Sequence, residues 1–373
     1  MDSGGVAREL EARLALLALP GVGSGTLESL LARFGSAAEA LEAPEEDFDR
    51  ASAPGTARAR LRGEHRRAAR AAMEQLRACG GWALMRGGTG YPRRLEHLDL
   101  PPALLFGRGN RELLERRTVT VVGTRRATTY GRRVAERLGR GLSEAGVVVA
   151  SGLALGVDAA AHRGALQGPA GTVAVLGCGV DRVHPRGNRE LFRAVARDGL
   201  LVSEFPPGTP PAAHRFPRRT RVLAALGAAC VVVEAGRRSG ALITADLATE
   251  LGRAIFAVPG PVDREQSFRP NRMIRSGAAP VMEVGDILEP LGWAGPGWSP
   301  EPSDPAPPPP GGDSEAVWRV LEEGPVHVDE LCERSRLPPG RFLAVLSTLE
   351  VEGRIRALPG RMYERASSDV YLR

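Results

Sequence analysis

The sequence contains no lysine, and all 50 of its basic residues are arginines. This absence excludes a phosphate-binding P-loop, which requires the lysine of its GxxxxGKS/T pattern, and it excludes Schiff-base chemistry at a lysine amine. Arginine nevertheless suits anion recognition, because its planar guanidinium donates two parallel hydrogen bonds and keeps its charge.

Cysteines are few and long hydrophobic runs are missing. The four cysteines form no CxxC pair, which predicts free thiols in a reducing compartment rather than disulfides or a zinc site. No hydrophobic run approaches the roughly 18 residues that a membrane span requires. The N-terminus also lacks the basic and hydrophobic pattern of a signal peptide. We therefore expect a cytoplasmic protein that makes no membrane contact.

The formal net charge is +6 at pH 7, and the positive excess is concentrated in the middle of the chain. Residues 117–292 contain 24 Arg against 15 Asp and Glu. A polyanionic partner is therefore expected to bind this central segment.

The N-terminal part and a proline-rich segment suggest several domains. Leucines at helical spacing flank the LPGVG turn at residues 19–23, which is similar to the turn of helix-hairpin-helix modules, where glycine amides meet a DNA phosphate. Acidic neighbours favour the alternative, a plain helical packing unit. Residues 294–313 are so rich in proline that we predict an extended linker before a tail of about 60 residues.

From about residue 117, short hydrophobic runs alternate with helical patterns. Such alternation predicts an α/β fold, a doubly wound parallel sheet with helices on both faces. The predicted strands are 119–122, 147–150, 173–176, 200–202, 230–233 and 255–258. The predicted helices are 129–145, 156–167, 187–197, 220–227 and 240–252.

Glycines, hydroxyl residues and arginines follow the carboxyl ends of these strands, where parallel sheets bind ligands. Free amides at successive helix starts favour phosphate, so we expect a row of anion sites at this edge. The first loop, GTRRATTYG, is not a GxGxxG motif, which disfavours a tightly bound dinucleotide.

The segment at residues 214–221, HRFPRRTR, combines four arginines with one aromatic residue. Single-stranded nucleic acid binds in a positive groove where aromatic side chains stack on its bases. Phe216 is a candidate stacking platform, and the alternative is a core phenylalanine. For the arginines, the alternative is a solvated charged surface.

Four stretches carry a family resemblance by their order and spacing: VVGTRRATTYGRRVAERL, VVASGLALGVDAAAHRGAL, HRFPRRTRVLAAL and VVVEAGRRSGALITADLA. Within about residues 117–285, the sequence resembles the DNA-processing protein A family (DprA, also called Smf). The resemblance implies an extended Rossmann-like domain at residues 81–293. It also implies a SAM-like helical domain at residues 1–80 and, after the linker, a winged helix at residues 314–373.

The resemblance implies a non-enzymatic, single-stranded-DNA-binding recombination mediator without a cofactor. Such proteins protect incoming DNA during natural transformation, form homodimers and load the RecA recombinase past single-strand-binding protein. Weaker binding of duplex DNA stays open. The predicted DNA contacts are Gly123, Arg125, Ser151, Gly152, Phe216, Arg218, Arg219, Arg221, Arg238, Ser239, Gly240, Thr244 and Asn271. The sequence departs from the family pattern at Thr220, Leu155 and Arg269.

Candidates for catalysis or metal binding are few. Asp158 and His162 would share a helix face, and we favour a helix-capping aspartate beside a core histidine over an acid–base or metal pair. Glu234 is either a ribose-binding acid or a structural residue. The alternative function is a phosphoribohydrolase-like nucleotide enzyme, which would need a PGGxGTxxE-like motif where this sequence reads RSGALITADLATE.

In the winged helix, the third predicted helix offers only Arg341 for DNA, so we do not expect it to read bases. Protein contact, or auxiliary backbone contact through Arg354, Arg356 and Arg361, is the expectation for this domain.

Overall fold

The computed structural model describes residues 3–52, 63–294, 311–352 and 354–365. The chain divides into two compact units, Met1–Trp298 and Ser299–Arg373. Most of the predicted linker, residues 295–310, lies outside the described residues. Within the described ranges, no helix has both the length and the hydrophobicity needed to cross a membrane.

The N-terminal part of the first unit is helical, as predicted, and its leucines form a small core with Phe48. Leu14 and Leu76 also pack against Leu104 and Phe106 of the sheet, so the helices and the sheet share buried contacts. The division at residue 80 therefore stays a prediction. The helices are α1 (Ser3–Leu17), α2 (Ser24–Phe34), α3 (Ala37–Glu42), α4 (Glu45–Ala51) and α5 (Glu64–Ala78).

A nine-stranded sheet forms the centre of the first unit, in the order β1-β2-β6-β5-β4-β3-β7-β8-β9. The strands from β6 to β9 run parallel, whereas β2 pairs antiparallel with both β1 and β6. The strands are β1 (Gly81–Met85), β2 (Leu104–Gly109), β3 (Thr118–Val122), β4 (Val148–Ser151), β5 (Thr172–Val175), β6 (Leu200–Ser203), β7 (Ala229–Val232), β8 (Ala254–Ala257) and β9 (Ala279–Pro280).

Helices cover both faces of this sheet, which confirms the predicted doubly wound α/β class. One core joins the strands to α9 and α10, and a second core joins them to α6 and α7. The helices are α6 (Thr129–Glu144), α7 (Val157–Ala165), α8 (Arg189–Asp198), α9 (Arg215–Leu226), α10 (Ala241–Glu250), α11 (Phe268–Arg275) and α12 (Gly285–Leu288). Short 3₁₀ turns occur at Arg93–His97, Arg111–Leu114, Arg186–Asn188 and Glu265–Ser267.

The described residues of the second unit form three helices and a small antiparallel sheet around Trp318, Leu331 and Phe342. The strand order is β10-β12-β11, and the β11–β12 hairpin forms the predicted wing. The elements are α13 (Asp313–Val320), a 3₁₀ turn (Leu321–Glu323), β10 (Val326–His327), α14 (Val328–Ser335), α15 (Pro339–Val351), β11 (Ile355–Leu358) and β12 (Met362–Arg365).

Candidate nucleic-acid interface

The strand order reverses between β3 and β7, and the loops that follow these two strands meet at the carboxyl edge. Thr124 N donates to the carbonyl oxygen of Glu234 at 2.7 Å and ties the two loops together. A Cβ atom at Gly123 would lie 2.5 Å from Val157 Cγ2 and 2.9 Å from that same carbonyl oxygen. Gly123 is therefore required by the close approach of two chain segments.

The carboxylate of Glu234 occupies the amide end of α6. Its Oε2 accepts from Thr128 N at 2.9 Å and its Oε1 accepts from Thr128 Oγ1 at 2.5 Å. A Cβ at Gly131 would overlap this carboxylate, so the side chain lies directly against the first turn of the helix. The structural interpretation of Glu234 is thus confirmed. The expected free anion site at the start of α6 is wrong, because an internal carboxylate already fills it.

Asp158 and His162 are structural residues, as favoured from the sequence. Asp158 Oδ2 accepts from Gly152 N at 3.1 Å and from Ala154 N at 3.4 Å. His162 is fully buried, where Nε2 accepts from Leu153 N and Nδ1 lies 2.7 Å from Thr172 Oγ1. Burial lowers the pKa of His162 to about 3, and it raises the pKa of Asp158. Both side chains hold the loop after β4 and are not exposed for chemistry.

Arg219 was predicted to contact DNA, but its side chain lies beneath the loop after β4. Its Nη1 donates to the carbonyl oxygens of Gly152 and Val175, both at 2.7 Å, and the residue is only 8% exposed. Burial lowers the pKa of Arg219, while the neighbouring charge of Asp158 opposes that shift. Arg219 therefore joins the ends of β4 and β5 from inside, and a contact with a ligand outside would require it to leave these partners.

Three other predicted contacts are buried or half-buried. The hydroxyl of Ser151 is buried and donates to the carbonyl oxygen of Val121 at 2.6 Å. Thr244 is buried in α10. The amide of Asn271 accepts from Gly260 N at 3.1 Å and donates to Gly260 O at 2.9 Å, closing the loop after β8. Ser151 and Asn271 thus use polar groups to hold the edge together, and Thr244 is largely covered by its neighbours.

Arg125 and Phe216 come together on the accessible surface of this edge. The Arg125 guanidinium lies 5.4 Å from the centroid of the half-buried Phe216 ring, and Arg125 itself is exposed. The ring of His184 lies 5.6 Å from that of Phe216, at an interplanar angle of 37°. A Cβ at Gly177 would lie 3.0 Å from Phe216 Cδ1, so the loop after β5 passes directly under the ring. The result is an aromatic surface with an exposed cation beside it.

Two further predicted contacts, Arg218 and Arg221, pair with Glu204 in the loop after β6. Arg218 Nη2 lies 3.3 Å from Glu204 Oε2, and Arg221 donates to the same oxygen and to the carbonyl of Leu100. The Glu204 side chain is only 3% exposed, so its charge is held against the two arginines. Arg218 keeps about half of its side chain exposed, whereas Arg221 is largely covered.

The loop after β7 carries the remaining predicted contacts. Arg238 and Gly240 are exposed, and Ser239 Oγ accepts from Ala241 N at 3.4 Å. Arg237 stacks on Phe268 at 3.7 Å from the ring centroid, and Arg269 donates to the carbonyl oxygen of Arg237. Arg269, a departure from the family pattern, thus braces this loop. Because β7 is the neighbour of β3, the loop belongs to the same edge as Arg125.

Sequence reasoning missed His184 and Glu204. His184 lies in the segment after β5, and its position beyond a strand end was the available signal. The sequence gives no signal for the role of Glu204, which depends on how its loop packs against α9. In the described part of the chain, no group of three or more His, Cys, Asp or Glu side chains is placed to hold a metal ion.

Comparison with known proteins identifies the family. Residues 82–292 match the family described as DNA recombination-mediator protein A, and residues 301–361 match the DprA winged helix domain. The chain belongs to the DprA family. The second match also confirms the predicted winged helix.

Relatives in the DprA family support this assignment across most of the chain. A DNA processing protein DprA of Mycobacterium tuberculosis is 43% identical over 270 residues, which are 70% of this chain and 68% of that protein. The crystal structure of DprA from Streptococcus pneumoniae has a TM-score of 0.63 at 31% identity, over 75% of this chain and 95% of that chain. DprA from Helicobacter pylori, solved for its single-stranded DNA binding mode, has a TM-score of 0.52 at 28% identity. It covers 57% of this chain and 95% of that chain.

Proposed function

We propose that this protein is a single-stranded-DNA-binding recombination mediator that acts without catalysis or a cofactor. The observation that carries the proposal is the surface formed by Arg125, Phe216 and His184 at the carboxyl edge. Stacking on Phe216 serves any base, and the Arg125 guanidinium beside it serves the adjoining phosphate. Arg238 and the amides near Gly240 extend this surface along the neighbouring strand end.

Family membership supports the wider role. DprA proteins are recombination mediators by the description of the family, and the H. pylori relative binds single-stranded DNA. We propose that this chain protects incoming DNA in the cytoplasm during natural transformation, forms a homodimer and loads RecA onto DNA covered by single-strand-binding protein. Duplex DNA should bind more weakly, because its paired bases cannot stack on Phe216. The proposed division into domains follows the sequence boundaries at residues 80, 293 and 313.

The phosphoribohydrolase-like alternative loses support from the site itself. The two acids nearest the sheet edge, Glu234 and Asp158, are both buried and bound to backbone amides. Neither is free to act on a nucleotide sugar. We expect the purified protein to leave nucleoside monophosphates intact, as measured by release of the free base.

The proposal is tested by the affinity for fluorescent oligo-dT at several salt concentrations. Arg125→Ala should weaken binding and reduce the salt slope by about one, because one fewer phosphate contact releases counterions. Phe216→Ala should cost about 1–3 kcal/mol of binding energy with an unchanged salt slope, because stacking is uncharged. Arg197→Ala is the matched control, since this exposed arginine precedes the amino end of β6, at the opposite edge. Unchanged affinity in both edge variants would contradict the proposed site.

A further inference from the structure

A second concave site lies beside the Arg125–Phe216 surface. A cleft of about 340 Å³ opens between the start of α2 and the loop after β6. Its walls include Val22, Gly23 and Ser24 on one side and Phe205, Arg215 and Arg218 on the other. Arg215 and Arg218 lie on the face of α9 adjacent to the one that carries Phe216 and Arg219. A strand bound at the carboxyl edge therefore needs only to pass over α9 to reach the cleft.

Glu204 carries a buried acceptor that no donor in the described structure satisfies. It lines the cleft, and its side chain is only 3% exposed. Its Oε2 is occupied by Arg218 and Arg221, whereas its Oε1 is buried and has no hydrogen-bond partner within the described structure. A buried acceptor without a donor is unfavourable. An occupant that donates an N–H group to Oε1 would remove this penalty.

The other walls suit the backbone of a nucleic acid. The guanidinium groups of Arg215 and Arg218 lie 5.6 and 5.4 Å from the centroid of the Phe205 ring, which holds both cations beside the cleft. The 11-residue helix α2 begins here, and its N-cap residue, Gly23, has no side chain to cap the first amides. These donors and charges favour phosphate, and the size of the cleft is at the low end for a small-ligand site, about 300–1,000 Å³.

We propose that this cleft is a nucleobase subsite in which one unstacked base of the bound strand donates its exocyclic amino group to Glu204 Oε1. The flanking phosphates then meet Arg215, Arg218 and the first amides of α2. Cytosine and adenine carry the required amino donor, whereas the N3–H donor of uracil and thymine lies between two carbonyl oxygens, which the carboxylate repels. The subsite rests on the proposed binding of single-stranded DNA. It adds a base preference to a surface that otherwise binds phosphates and stacks on any base.

The test compares 20-nucleotide dC and dU oligonucleotides, which carry equal charge. Their bases differ in the amino or carbonyl group at position 4 and in the proton that uracil carries on N3. We expect the full-length protein to bind dC roughly three- to tenfold more tightly than dU at pH 8. Glu204→Gln should abolish or invert this ratio, because an amide can turn an N–H group toward the carbonyl oxygen of uracil. The ratio cancels any general change in charge or affinity. Glu289→Gln changes an exposed residue directly after α12, which packs on the opposite face of the sheet from α9. It makes the same charge change and should keep the wild-type ratio.

A second probe changes the oligonucleotide instead of the protein, so it avoids any effect of a substitution on the fold of the cleft. A dC oligonucleotide bearing N4,N4-dimethylcytosine lacks the amino donor and should bind the wild-type protein no better than dU. Equal affinity for dC and dU, or a dC preference that survives both Glu204→Gln and dimethylation, would overturn the subsite. If Arg125→Ala still weakens both oligonucleotides equally, the proposed function stands without it. If neither oligonucleotide binds the wild-type protein, both proposals fall.

Discussion

Buried charged side chains take the places that phosphate occupies in other doubly wound sheets. Glu234 binds the backbone amide and the hydroxyl of Thr128, the residue that caps α6, and Asp158 binds amides of the loop after β4. Arg219 in turn binds two carbonyl oxygens at the ends of β4 and β5. These side chains satisfy the backbone groups of the edge from inside the protein. We therefore expect binding there to depend on the side chains at its surface, chiefly Arg125 and Phe216. Such an edge suits a flexible polyanion better than one tightly bound nucleotide.

The buried histidine beneath this edge predicts a stability change with pH. Burial lowers the pKa of His162 from 6.5 to about 3. The folded protein therefore keeps the ring neutral down to about pH 3, whereas the unfolded chain takes up a proton below pH 6.5. Stability that is complete above pH 6.5 is lost as the pH falls, by about 2 kcal/mol at pH 5.

This loss is measured by urea unfolding at pH 7 and pH 5 for the wild type and for His162→Gln. The variant cannot gain a proton, so its free energy of unfolding should fall by about 2 kcal/mol less between the two pH values. Comparing the two differences cancels the other titrating groups. Parallel pH dependence in the two proteins would contradict the assignment of a buried neutral ring.

Individual side-chain roles could be predicted only where position along a strand decided them. Arg125 follows the hydrophobic run of β3, so its place at the carboxyl edge was evident from the pattern. The burial of Arg219 could have been predicted from helical spacing, but the many charges of its segment favoured an exposed position. It lies three, four and seven residues before Val222, Leu223 and Leu226, on the core face of α9. The contact of Arg125 with Phe216 depends on how α9 crosses the sheet, which no local pattern contains.

At the scale of elements, α6 and α7 pack unusually closely through glycine. A Cβ at Gly139 of α6 would overlap the carbonyl oxygen of Ala161, and a Cβ at Gly164 of α7 would overlap that of Glu136. Each glycine therefore lets the backbone of one helix touch the other. The two helices pack against β3 and β4. They therefore help to position the loops that follow these strands and carry Arg125 and Gly152.

We expect Gly164→Ala to lower the free energy of unfolding by about 3 kcal/mol, because the added methyl group forces the two helices apart. The small gain in helix propensity from alanine, about 1 kcal/mol, cannot offset this overlap. Gly187→Ala is the control. Its Cβ would make an ordinary contact of 3.5 Å with Leu155 Cδ2, and the change should stay within about 0.5 kcal/mol. Equal stability of the two variants by urea unfolding would show that the helices do not meet through Gly164.

The predicted strands and helices agree best with the structure where the hydrophobic runs of the sequence are continuous. The six strands predicted from the sequence lie within one residue of β3 to β8, because strands buried on both faces leave a clear signal. The start of α9 was predicted at residue 220 and is found at Arg215, since HRFPRRTR has too many charges to show a helical stripe. The antiparallel strands β1 and β2 were not predicted, because their hydrophobic runs are short and the pairing of β2 with β6 connects distant segments.

For the whole molecule, the charge is divided unequally between the two units. The central segment carries the positive excess, whereas residues 313–373 contain 9 Arg against 11 Asp and Glu. Within the winged helix, Arg341 pairs with Asp313 at 2.8 Å, Arg354 with Glu352 at 2.9 Å and Arg356 with Glu364 at 2.5 Å. Arginines bound to carboxylates gain little by exchanging them for phosphate. Two of the three arginines expected to make auxiliary backbone contacts, Arg354 and Arg356, are thus bound to carboxylates, and we expect the second unit to contribute little to holding a DNA backbone.

Removal of the second unit should consequently leave binding of single-stranded DNA almost unchanged. A protein of residues 1–298 keeps the Arg125–Phe216 surface and the cleft beside Glu204, so its affinity for oligo-dT should stay within about twofold of the full chain. Its salt slope should also be the same, because the slope counts the phosphates that the arginines of the first unit neutralise. The measurement is fluorescence anisotropy at two salt concentrations, with duplex DNA of equal length as the comparison. A loss of tenfold or more, or a clearly shallower salt slope, would show that the winged helix contacts the strand despite its paired arginines.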